Sequence, residues 1–399
     1  MTETRAAKLR RLWLNVHLWI GIGLAVLLIP ISISGGLLVF HDDIDALLHP
    51  QRYAVSGPQV ALAPSAYLAK AAEAVRNEPG NLRVTGLRFP EASGKPVQAI
   101  ARGAARDGGR PRVLTIYLDP PTGAVLDVMD FRASFFGFMH VFHENLTLPQ
   151  YSGRQIVGWA GTGMLILSLT GIWLWWPRNA QSFATLLRGL RWGRSPRFTF
   201  NLHHLLGFWI ALPLAAVSFT GIYLSFPQTA RSVMSSIAPM NTQGPRGGFG
   251  EVARQLSLTA DAALEATRKA EPDARPLTLF LLVQARGERA PPSAMTWRIQ
   301  MERAATGENI TVMIDDRSGQ AAVIVPQAGD RAASWMRWIH EGSHSGRLWA
   351  FIVFLTGIFP TVFAITGTIM WLRKRAARKS LQSKGFEGKR GAPHLRPAE

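Results

Sequence analysis

Cysteine is absent from this 399-residue chain. That closes several routes at once. Thiolates cannot ligate an iron–sulfur cluster, thioethers cannot attach a haem, zinc has no thiolate site and no disulfide can brace a loop. Nucleotide-binding signatures are missing too. No G-x-G-x-x-G opens a helix after a strand, and no G-x-x-x-x-G-K-[ST] occurs. Acidic residues are scarce: 26 Asp and Glu stand against 44 Lys and Arg, a net charge of +18.

What is present is apolar sequence in long, charge-poor runs, at 14–40, 156–176, 205–226 and 348–372. Crossing a hydrocarbon core takes about 20 helical residues. The expected class is therefore an α-helical integral membrane protein with four transmembrane helices, and the lipid bilayer is its first partner. Arg5, Lys8, Arg10 and Arg11 precede the first run, as they would in a signal peptide. The run is too long for that role, and no small-x-small cleavage site follows it.

Positive charge is concentrated in three places: residues 1–12, the loop around 177–202 and the tail from 373. Together they hold 18 basic and three acidic residues, a net +15 of the total +18. By the positive-inside rule these segments, and both termini, face the cytoplasm. The high charge is a topology signal, so no nucleic acid partner is inferred. The resulting division is an N-terminal segment with the first helix (1–41), an outer segment (42–153), the second helix (154–177), a basic loop (178–202), the third helix (203–226), a second outer segment (227–346), the fourth helix (347–372) and a basic tail (373–399).

The chain is a duplication. At a shift of 186, "VHLWIG" with His17 and Gly21 matches "LHHLLG" with His203 and Gly207, and "SISGGLLVF" matches "SFTGIYLSF". At a shift of 196, "GTGMLILSLTGIWLWW" matches "GIFPTVFAITGTIMWL", and "IYLDPPTGAVLDV" matches "VMIDDRSGQAAVI". Several anchors agreeing on two offsets mark an internal repeat. The outer segments each read as a helix ("PSAYLAKAAEAVR", "LTADAALEATRKA") followed by short strands and an Asp/Gly turn. The expectation is a two-helix unit carrying an α+β insertion, present twice.

Eight of the ten histidines fall at span ends. His17, His203 and His204 lie at the cytoplasmic side; His41, His140, His143, His340 and His344 lie at the outer side. Around an α-helix His17 and Gly21 are about 40° apart, and Gly35 returns to the face of His17 after five turns. His203, Gly207 and Gly221 repeat the pattern. An imidazole beside a glycine stripe suits a flat macrocycle bound axially through its iron, whereas glycine alone is equally explained by close helix packing. His203 and His204 point about 100° apart, and the repeat register favours His203. On the outer side, "FMHVFHENL" and "WIHEGSHSGRLW" offer His pairs at i,i+3 and i,i+4. That spacing, with Glu144 and Glu341 alongside, also suits zinc. Arg154 and Arg347 suit haem propionates or interfacial anchoring.

These motifs, from "VHLWIG…SGGLLVF" through "FHENL", "LHHLLGFW…TGIYLSF" and "IHEGSHSGRLW…TGTIMWLRKR", resemble the PepSY-associated transmembrane proteins over nearly the whole chain. These are iron-regulated proteins of the bacterial inner membrane that include ferric-siderophore reductases. The resemblance implies two PepSY-like periplasmic insertions and haem b, two groups in the reading favoured here. Carried over, the span-start histidines are His17 and His203, and the outer ones are His143 and His340. His140, His204 and His344 have weaker motif support. It also implies electron transfer from a cytoplasmic or quinol donor to a ferric siderophore. Two alternatives remain open at this point: a non-redox periplasmic binding or regulatory module tethered by four helices, and a siderophore or iron transport component.

Overall fold

The computed structural model describes residues 4–103, 112–176, 198–241, 247–248, 256–284 and 295–390. Most of the basic loop and the end of the basic tail lie outside the described residues, as does His394. In chain order the helices are α1 (Arg5–Val39), α2 (His41–Leu48), α3 (Pro64–Ala74), α4 (Phe135–Asn145), α5 (Gln150–Trp175), α6 (Phe198–Ser225), α7 (Pro227–Ile237), α8 (Ala260–Ala270), α9 (Ala328–Glu341) and α10 (Gly346–Arg390). The strands are β1 (Arg83–Arg88), β2 (Val97–Arg102), β3 (Val113–Leu118), β4 (Val125–Asp130), β5 (Gly247–Gly248), β6 (Ala274–Gln284), β7 (Met295–Arg303), β8 (Asn309–Asp315) and β9 (Ala321–Ile324).

The chain divides into two compact units. The first comprises Met1–Phe40, Met139–Pro227 and Met336–Glu399; the second comprises His41–Phe138 and Gln228–Trp335. Residues 139–153 and 336–346, grouped by sequence with the outer segments, thus belong with the helices.

The helical unit is built from α1, α5, α6 and α10, four helices long and apolar enough to cross a membrane. Each of α1 and α6 packs against both α5 and α10. Thr4 caps α1 by accepting from the Ala7 amide. Large apolar side chains point outward: Val26 is 85% and Leu212 72% exposed. In water such a surface would be a liability; in lipid it is the solvent-facing side. Small residues set the inner spacing. A Cβ added to Gly357 would lie 2.6 Å from the Gly36 Cα, so α1 and α10 cross with backbone nearly touching backbone. Pro30, Pro213 and Pro360 sit inside spans, where neighbouring helices shelter the backbone groups that proline leaves free.

The second unit holds one mixed-order antiparallel sheet, β4-β3-β2-β1-β6-β7-β8-β9, with β5 alongside β6. Two insertions were expected from the repeat; they form two halves of a single sheet. The joint is β1 against β6, pairing Gly86 with Phe280, Leu87 with Leu279 and Arg88 with Thr278. The physical reason is edge closure: each half alone would leave its first strand unpaired. Helices α3 and α8 cover one face. Tyr67, Leu87, Leu279, Ile299 and Ile314 are fully buried there in one continuous core. The helices also touch through the repeat: the Ser65 amide donates to Asp261 at 2.8 Å, and its hydroxyl donates to the same carboxylate. Both Asp/Gly turns form as read, with Gly123 at φ +66° and Gly319 at φ +69°, a region open to glycine.

Gly86 is the tightest point of the joint. An added Cβ would meet the Phe280 ring at 2.3 Å and the Leu279 carbonyl at 2.4 Å. Gly86→Ala is expected to destabilise the sheet by about 1–3 kcal/mol, the usual cost of overpacking. It should appear as a lower unfolding midpoint of the purified chain; an unchanged midpoint would mean the joint has slack.

Candidate functional site

Four histidines of the helical unit share one local design. Each ring lies against a Ser/Thr-Gly dipeptide on another helix of the same repeat. His17 on α1 meets Thr170-Gly171 on α5, and His203 on α6 meets Thr366-Gly367 on α10. His143 on α4 meets Ser34-Gly35 on α1, and His340 on α9 meets Thr220-Gly221 on α6. His143 and His340 need the glycine because the Cε1 edge of each ring sits where a side chain would be. An added Cβ would lie 2.5 Å from Cε1 of His143 at Gly35 and 2.8 Å from that of His340 at Gly221. At Gly171 and Gly367 the distances to His17 and His203 are 3.5 and 3.8 Å.

Hydrogen bonding fixes the tautomer. His143 Nδ1 donates to the Ile31 carbonyl and His340 Nδ1 to the Val217 carbonyl, both at 2.9 Å. A carbonyl only accepts, so Nδ1 carries the proton. His17 Nδ1 lies 2.9 Å from Thr170 Oγ1, and His203 Nδ1 2.8 Å from Thr366 Oγ1. Those hydroxyls donate to the Ile166 and Val362 carbonyls at 2.7 Å each. Their lone pairs are thus left to accept from the histidines. Among the described residues the hydrogen bonds of all four rings run through Nδ1. Nε2 is left unprotonated, the form in which imidazole ligates a metal.

His143 and His340 come from different repeats and lie close together, with ring centres 6.1 Å apart and planes inclined by 37°. Two imidazoles sharing one metal from opposite sides, each nitrogen about 2 Å from it, put their ring centres roughly 6 Å apart. Two neutral imidazoles at this spacing would fit as the residues that hold one haem iron. Zinc fits less well, because a protein zinc site takes three or four ligands. No group of three His, Asp or Glu able to hold a metal occurs among the described residues.

The remaining expected residues fall elsewhere. His204 sits among aromatic rings, stacked on Phe200 with centres 5.4 Å apart and 5.8 Å from Trp175. His344 stacks on Trp338 at 3.9 Å. His140 is exposed on α4. Arg154 forms an ion pair with Glu144, so its first partner is a protein carboxylate. Arg347 is exposed at the start of α10. A Cβ added at Gly21 would lie 3.7 Å from the Leu167 side chain, and one added at Gly207 would meet nothing within 4 Å. The stripe glycines Gly35 and Gly221, expected to pave a macrocycle face, are instead filled by imidazole. Sequence reasoning missed Ser34, Thr170, Thr220 and Thr366. Part of the signal was there: every span carries at least one Ser/Thr-Gly dipeptide, though α5 and α10 carry more than one, so the pattern alone does not pick out the dipeptide that meets a histidine.

Fold and site together define a multi-pass membrane protein of two pseudo-equivalent halves, each presenting two tautomer-fixed histidines inside its helical unit. The PepSY-associated TM region family matches residues 14–374, and the chain belongs to that family. No curated protein matches it.

The glycine contacts predict a graded response. Gly35→Ala should push His143 off the Ile31 carbonyl and lower the unfolding midpoint of the detergent-solubilised protein, whereas Gly171→Ala should leave it near wild type. Equal effects of the two substitutions would contradict the tight seat at Gly35.

Proposed function

We propose that this chain is an inner-membrane, haem b-dependent oxidoreductase that carries electrons outward and reduces ferric iron bound in a siderophore. The observation that carries the reading is the set of four imidazoles with Nδ1 committed and Nε2 bare, two of them with ring centres 6.1 Å apart. His17 and His203 would hold one haem, and His143 and His340 the other. Bound haem iron supplies a one-electron carrier at each site. With two imidazoles to hold it, each haem would serve electron transfer rather than oxygen chemistry.

The chain's own residues do the rest. Ser/Thr-Gly dipeptides seat the rings, and the threonine hydroxyls at His17 and His203 and the backbone carbonyls at His143 and His340 hold the tautomer. His17 and Gly35 are 18 residues apart on α1, so the two sites are separated by roughly 27 Å of helix rise, about one hydrocarbon core. Arg154 and Arg347 sit at the sequence starts of spans, where a propionate could pair with a guanidinium. With the basic segments in the cytoplasm, electrons enter there from a cytoplasmic or quinol donor and leave on the periplasmic side. The siderophore's iron gains one electron, becomes ferrous, and is held less tightly by hard oxygen donors.

The test is an absorption spectrum of the purified, detergent-solubilised protein before and after dithionite. A sharp reduced α-band with about two haems per chain is expected, and His17→Ala and His340→Ala should each remove about one. A colourless preparation from haem-replete cells would sink the redox reading and leave a periplasmic binding module tethered by four helices.

A further inference from the structure

The two histidine pairs differ in the nearest partner of Nδ1. His143 and His340 reach backbone carbonyls, Ile31 O and Val217 O. The nearest partners of His17 and His203 are instead the hydroxyls of Thr170 and Thr366, with the Leu167 carbonyl a further backbone partner of His17. By the repeat, the carbonyls equivalent to Ile31 and Val217 are those of Leu167 and Phe363, each three residues before the dipeptide threonine. These lie 3.2 and 3.3 Å from the threonine hydroxyls. The cause is depth. His143 and His340 are pressed into Gly35 and Gly221 inside the distance a Cβ would need, while His17 and His203 stand off Gly171 and Gly367 at ordinary contact. Ser34 and Thr220 lie 3.4 and 3.3 Å from their rings, so they are secondary partners of histidines that already have a carbonyl.

We propose that Thr170 and Thr366 are positioning residues that set the ligand strength of the His17/His203 pair, so that side chains tune the reduction potential of that site while backbone carbonyls fix that of the His143/His340 site. The proposal rests on the haem reading above. Its physics is general. An imidazole whose Nδ1–H is held by an acceptor is a stronger donor through Nε2. Stronger donation favours the ferric state and holds the potential down. Each threonine hydroxyl donates to a helix carbonyl, and that bond polarises it into a better acceptor for the histidine. A hydroxyl can be removed by substitution without touching the backbone; a carbonyl cannot.

The experiment is an optical redox titration of the full-length protein in detergent for wild type, Thr170→Val, Thr366→Val, Thr170→Ser, Ser34→Ala and Thr220→Val. The haem lost in His17→Ala identifies which potential belongs to which pair. Thr170→Val and Thr366→Val should raise the His17/His203 potential, changing its ferrous-to-ferric ratio at fixed poise about tenfold, near 59 mV for one electron. The other potential should stay put. Thr170→Ser should restore the wild-type value, and Ser34→Ala and Thr220→Val should move neither. Unmoved potentials in the valine variants would overturn the proposal, as would an equal response to Ser34→Ala. A threonine that only packs would alter stability or haem content at constant potential, and that also overturns it. A second readout needs no haem. In protein from haem-starved cells, ¹⁵N NMR should find His17 and His203 protonated at Nδ1, and the valine variants should lose that preference. If it persists in them, the positioning role fails even where haem is bound; if haem is never bound, the function fails while the tautomer result still decides the role of the threonines.

Discussion

Everything in the helical unit turns on how an imidazole is seated inside apolar helices. A buried polar ring without a partner costs several kcal/mol in a medium that offers no water. The chain answers with a Ser/Thr-Gly dipeptide on a neighbouring helix, four times over. At Gly35 and Gly221 glycine removes the side chain the ring would strike, and at each seat a hydroxyl or a nearby carbonyl takes the Nδ1 proton. The same contact does three things: it satisfies the ring, ties two helices of one repeat together, and leaves Nε2 bare. Helix positions follow from it as much as from general packing. His17 links α1 to α5, and His143 links α4 back to α1; His203 and His340 do the same in the second repeat.

Duplication explains why the two units look so different in their symmetry. In the helical unit the halves keep their identity, each carrying its own pair of histidine seats. In the other unit they merge. Strands β1 and β6 pair across the repeat, Ser65 and Asp261 bond at positions 196 residues apart, and one core runs under the whole sheet. Sheets favour merging because an unpaired edge strand exposes backbone donors and acceptors. Helices have no such demand, since their backbone bonds are internal.

Small residues are used for two distinct purposes that sequence pattern does not separate. Gly36 and Gly357 let α1 and α10 approach until backbones nearly touch. Gly35, one residue earlier, makes room for His143. In the sequence "SGG" reads as one small-residue patch; in the helix its two glycines point about 100° apart and serve different neighbours.

Much was legible from the chain alone. Four spans, the two repeat offsets, α3 and α8, the strands and both Asp/Gly turns could be read, because hydrophobic period and turn chemistry are local. So could His17 and His203, since the repeat put each beside a fixed glycine spacing, and His143 and His340, through the resemblance of "FHENL" and "IHEG" to the family's motifs. Three things waited for the tertiary structure. One is that the insertions make a single sheet, since strand pairing across 190 residues has no local signature. Another is that Gly35 and Gly221 receive imidazole, because a glycine's neighbour comes from another helix. The last is that Thr170 and Thr366, Ile31 and Val217 hold the Nδ1 protons. A hydroxyl or carbonyl becomes an acceptor for histidine only when folding brings a ring within about 3 Å of it, and that distance is set between helices far apart in the chain.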